Sequence, residues 1–90
     1  MRFAWSEEKN AILKASRGVG FEDVVTAFEA GASYRIALHP KQDKYPGQYM
    51  LVIEIEGYLC RVPFVWQDQE TVFLKTVYPS RKEMRKWRGS

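Results

Sequence analysis

The chain has 90 residues with a formal net charge of +3, 46% of them hydrophobic and 28% charged. That length bounds it to one domain, residues 1–90, with a single modest core, and that composition excludes a disordered chain. No apolar stretch after Met1 and Arg2 is long enough for a signal peptide or a bilayer span, so a cytoplasmic protein without membrane contact is expected.

"WSEEKNAILKASRG" reads as a first helix. Ser6 can cap it, Glu7 and Glu8 suit the positive end of its dipole, and Gly18 can close it in a left-handed turn. "GFEDVVTAFEAG" is a second helix, with Phe21, Val24, Val25 and Phe28 on one apolar face and Gly31 at its end. Helices this short need a surface to lie on.

"SYRIAL" predicts a first strand, followed by the Pro- and Gly-containing loop "HPKQDKYPGQ". "YMLVIEI" and "YLCRVPFVW" flank Glu56-Gly57, a two-residue hairpin turn. That register puts Tyr49, Leu51, Ile53 and Ile55 on one face with Tyr58, Cys60, Val62 and Phe64, and Glu54 and Arg61 on the other. "TVFLKTVY" predicts the last strand. Ser80 then opens a final helix, with Glu83 three residues on as a capping box. The expected architecture is α+β: two N-terminal helices, a four-stranded antiparallel sheet and a C-terminal helix, with the helices on one sheet face and the other face open.

Charge is unevenly spread. Residues 75–90 hold six cations against one acid, Glu83, which leaves the other 74 residues at −2. A basic end on a near-neutral body points to a polyanion or an acidic partner, and equally fits a solvated basic helix. Within the apolar last strand, Lys75 is expected to face outward near Arg61. Two adjacent cations on a sheet repel unless an anion lies between them. Glu54 can supply that negative charge; the alternative is a phosphate held by Lys75, Arg61 and Arg81, with Arg81 at the start of the last helix.

His39 and Tyr78 are further catalytic candidates, as proton carriers. Lys44, Arg17 and Arg85 are candidate substrate contacts, and Tyr45 is a ring able to stack on a base. For each, an ordinary surface or packing role competes. A single cysteine, Cys60, and a single histidine, His39, exclude an internal disulfide, a cysteine-based zinc site and a histidine-rich metal site. No nucleophile elbow, phosphate loop, dinucleotide fingerprint or metal motif is present, so a catalyst here would use no cofactor.

"FAWSEEKNAILKASRGVGFEDVVTAFEAG" and "FLKTVYPSRKEMRKW" resemble the BrnT-type toxins of bacterial toxin–antitoxin pairs. The matching residues are Trp5, Ser6 and Lys9, then Ser16-Arg17-Gly18, then Phe21-Glu22-Asp23. The resemblance implies a RelE-like fold, cleavage of RNA, and a small antitoxin as partner through which any DNA contact would be made. Two departures stand out. Ser16-Arg17 replaces the Lys-His pair that precedes the turn glycine in many relatives. Val77 stands where many carry an arginine, so Lys75 is expected to take that role.

Together these features lead to the expectation of a metal-independent endoribonuclease toxin. RNA supplies its own nucleophile, the 2′-hydroxyl, and the protein must orient the strand, neutralise the transition state and move two protons. The alternatives are a non-catalytic RNA- or partner-binding module on the same scaffold, or a structural partner of an acidic protein.

Overall fold

A computed structural model describes residues 1–89. Ser6 Oγ accepts the Lys9 N–H at 3.2 Å and starts helix α1 (Glu7–Arg17), which ends where Gly18 takes φ +73° and returns its N–H to Lys14. Helix α2 (Phe21–Glu29) is capped by a side chain of α1. Asn10, 4% exposed, accepts the Phe21 N–H at 2.8 Å through Oδ1 and donates to Glu22 Oε2 at 2.8 Å through Nδ2. A Cβ on residue 20 would lie 2.7 Å from Asn10 Oδ1, so the close approach of the two helices needs Gly20.

The remaining elements are β1 (Arg2–Ala4), β2 (Tyr34–Leu38), β3 (Tyr49–Ile55), β4 (Tyr58–Trp66), β5 (Thr71–Leu74), β6 (Tyr78–Pro79) and helix α3 (Arg81–Gly89). The strands form one sheet in the order β1-β5-β4-β3-β2, with the short β6 also on β4. The expected four antiparallel strands are therefore six in a mixed sheet, because "RFA" at the start pairs in parallel with β5. The β3–β4 hairpin turns through Glu56 and Gly57, both at positive φ, with Tyr49 opposite Phe64 and Ile55 opposite Tyr58, the expected register.

The expected strand over 71–78 breaks at Lys75. Phe64 pairs with Leu74 and Arg61 with Tyr78, so three residues, 75–77, face only Val62 and Pro63 of β4. Pro63 explains the break. It accepts the Lys75 N–H at 2.8 Å through its carbonyl but has no N–H to return on that side. The extra residue shifts the alternation by one. Val77 consequently turns into the core, fully buried, and Tyr78 joins Arg61 on the opposite face.

The core lies between α1–α2 and one sheet face, where Leu13, Phe21 and Val24 meet Leu51, Ile53, Cys60, Val62, Phe64, Val72, Leu74 and Val77. Helix α3 packs against the other face, which corrects the expectation that all helices share one side. Glu83, 4% exposed, reaches Arg61 of β4 and Arg35 of β2. The capping box is half realised. Ser80 Oγ accepts the Glu83 N–H at 3.2 Å, but the Ser80 N–H donates to Leu59 carbonyl instead of the Glu83 carboxylate.

Candidate active site

Residue 39 leaves β2 and opens the loop over 39–48. The loop is closed at its base by the His39 N–H donating to Gln48 carbonyl at 2.9 Å. Gln42 staples it from inside, its Nε2 donating to the carbonyls of His39 and Gln48, both at 2.9 Å. This brings His39 beside the break in the last strand. There a cleft of ≈ 530 Å³ is lined by Lys9, His39, Lys41, Tyr45, Arg61, Lys75 and Tyr78, with Met50 and Pro63 among its apolar parts. Among the described residues, no carboxylate lines it.

The charge is uncompensated where it matters. Lys9, Lys41 and Lys75 have no carboxylate partner among the described residues. Lys75 is exposed, and its Nζ lies 5.5 Å from the Phe73 ring centroid. Arg61 is different. Its Nε and Nη2 donate to Glu83 Oε2 at 2.9 and 2.8 Å, while Glu83 Oε1 takes Arg35. Burial works against the Arg61 charge, but bonds to Glu83 and Tyr78 outweigh it and hold its pKa above the usual value. Burial likewise acts to raise the Glu83 carboxyl, and the two arginines bring it below the usual glutamate range. Glu54, one of the two candidates for the negative charge beside Arg61, instead lines a concavity with Ser33, Arg35 and Trp87. Glu83 replaces it because α3 packs on this face.

The Lys41 N–H donates to His39 Nδ1 at 3.1 Å. With Nδ1 accepting, the neutral ring carries its proton on Nε2, a hydrogen-bond donor. The ring also packs on Tyr45, with centroids 4.7 Å apart. Tyr78 stands beside Arg61 across the β4–β6 pair and lines the same cleft.

Thus the cleft gathers His39, Arg61, Lys75 and Tyr78 from the expected residues. It does not gather the others. Arg81 and Arg85 line a separate concavity with Tyr58, Met84 and Arg88, apart from the cleft that holds Lys75. Lys44 lies over the ring of Tyr45, and Lys41 lines the cleft in its place. Arg17 secures the strand break, donating to Thr76 Oγ1 at 3.1 Å and Val77 carbonyl at 2.9 Å, and sits 5.9 Å from the Tyr78 ring centroid. Lys9 and Lys41 also line the cleft, and the sequence marks them weakly: Lys9 only as one of the matched residues Trp5, Ser6 and Lys9, and Lys41 only by its closeness to His39. Glu83 gave no signal beyond its place in the capping box.

Four cations, a histidine N–H and a tyrosine hydroxyl around one concave surface can bind a polyanion and stabilise added negative charge on it.

No protein-family model and no curated protein matches the chain. Among solved structures it shares the fold of a ribonuclease toxin. That structure is the 1.1 Å crystal structure of Brucella abortus BrnT, superposed with a TM-score of 0.64 at 21% identity over 89% of this chain and 96% of that one. The chain therefore has the BrnT-type toxin fold.

Proposed function

We propose that the protein is an endoribonuclease toxin that cleaves RNA in the basic cleft without a metal ion and is neutralised by a small antitoxin. One observation carries this reading: three lysines without carboxylate partners among the described residues converge with Arg61, His39 and Tyr78 on a single cleft. The ribonuclease-toxin fold supports it.

In the reaction, the 2′-hydroxyl oxygen attacks the adjacent phosphorus and the bond from phosphorus to the 5′ oxygen breaks. A 2′,3′-cyclic phosphate and a 5′-hydroxyl result. One proton leaves the 2′ oxygen and one must reach the 5′ oxygen. The Tyr78 hydroxyl supplies the proton to the leaving oxygen, solvent water takes the proton of the 2′-hydroxyl and restores that of Tyr78, and His39 donates its Nε2–H as a hydrogen bond to the phosphate. Lys75 and Arg61 meet the charge on the non-bridging oxygens, and Lys9 and Lys41 draw the strand in. Glu83 leaves Arg61 charged while fixing its direction. The antitoxin covers this face with an acidic or extended segment and makes any DNA contact itself.

The test uses purified protein and an RNA oligonucleotide in EDTA, followed by the same oligonucleotide with one 2′-deoxy nucleotide at the mapped cut. The first is cleaved and the second is not. Cleavage of both overturns the mechanism, and salt-sensitive binding without any cleavage assigns the protein to the binding-module class.

A further inference from the structure

Helix α3 carries a second group of cations that the cleft does not use. Arg81, Arg85 and Arg88 line a concavity of ≈ 280 Å³ together with Tyr58 and Met84. Their spacing of four and three residues sets the three guanidinium groups along one helix face. Lys82 and Lys86 repeat the four-residue spacing beside them. The helix's acid, Glu83, is turned to the sheet and occupied by Arg35 and Arg61, so it offsets none of these charges. None of the five has a carboxylate partner among the described residues.

Like charges four residues apart on a helix repel, and a helix of nine residues has little stability of its own. The arrangement is therefore self-repelling until an anion meets it. The position of the concavity says which anion. It adjoins the cleft in the chain, since Tyr78 lines one and Arg81, three residues and at most about 10 Å of chain further on, lines the other, so a strand held in the cleft comes within reach of the arginines. A peptide carboxylate would answer the charge alone.

We propose that Arg81, Arg85 and Arg88 bind phosphates of the RNA strand flanking the bond that is cut. The inference rests on the ribonuclease reading of the cleft. It makes the substrate a single strand longer than the scissile dinucleotide.

The experiment compares the full chain with its Arg85→Ala/Arg88→Ala double variant, both side chains being exposed. Binding of an oligonucleotide blocked by a 2′-deoxy nucleotide at the cut is titrated against salt. Single strands lose about 0.7 in the log–log salt slope for each phosphate contact removed, so the double variant should bind with a slope shallower by about 1.4. The advantage in kcat/KM of a long RNA over a dinucleotide should shrink in parallel. An unchanged slope and an unchanged advantage, in a protein that cleaves RNA, overturn the proposal and leave the arginines to an acidic protein partner. Wild-type protein that binds no RNA overturns both the proposal and the ribonuclease reading, and is told apart by that result.

Discussion

Arg61 of β4 and Glu83 of α3 form the contact that joins the C-terminal helix to the basic cleft, with Nε and Nη2 of the arginine on one carboxylate oxygen at 2.9 and 2.8 Å. The other oxygen is held by Arg35. One buried carboxylate thus fixes two strands and a helix, and aims a cleft cation. Glu83→Ala leaves Arg61 without its partner at a site only 19% exposed, and should cost about 2–3 kcal/mol in urea unfolding. Glu83→Gln keeps an acceptor and should cost less.

The same contact sets an acid limb of stability. Because the two arginines hold the folded carboxyl below its usual value, its contribution is complete above the unfolded value of about 4.3 and is lost as pH falls through the folded one. The gap in unfolding free energy between wild type and Glu83→Gln should therefore narrow on acidification across that window. A gap that stays constant from neutral pH to pH 3 would contradict the assignment.

The strand break makes opposite demands on Lys75 and Val77. Lys75 is exposed, so Lys75→Ala should shift stability by no more than about 0.5 kcal/mol. Val77 is fully buried, so Val77→Ala should cost about 2 kcal/mol. Equal costs in chemical denaturation would mean that the residues around the break are placed wrongly.

Cys60 sits in the core at 3% exposure, and burial together with the negative charge of Asp23 pushes its thiol up to about 11. Folded protein at neutral pH should react with a thiol reagent only at the rate of its opening, and at once in denaturant. Immediate stoichiometric labelling of the native protein would contradict that placement.

Much of this was legible from residues alone. Alternation of two about Glu56-Gly57 set the hairpin register, and Ser6 and Gly18 marked the ends of α1, because turn and cap chemistry are local. The parallel pairing of β1 was not legible, since three residues carry no readable period and their partner is nearly 70 positions away. The break at Lys75 has a signal that shows only once the strands are paired: Pro63 lies inside a strand with neighbours on both sides, where proline calls for a bulge. The cleft itself depends on that break. His39, Arg61, Lys75 and Lys9 meet through tertiary packing, and Arg81 falls outside because α3 turns Glu83, and not its arginines, toward Arg61.

Lys75 in the basic cleft is proposed to meet the charge that develops as RNA is cut. The measurement is the single-turnover cleavage rate of an RNA oligonucleotide in EDTA by wild type and by Lys75→Ala, with urea unfolding run on the same samples. A cation placed for transition-state charge is worth about 10²–10³ in rate, so the variant should lose that much while its unfolding midpoint stays in place. A folded Lys75→Ala protein that cuts RNA at the wild-type rate would contradict the account.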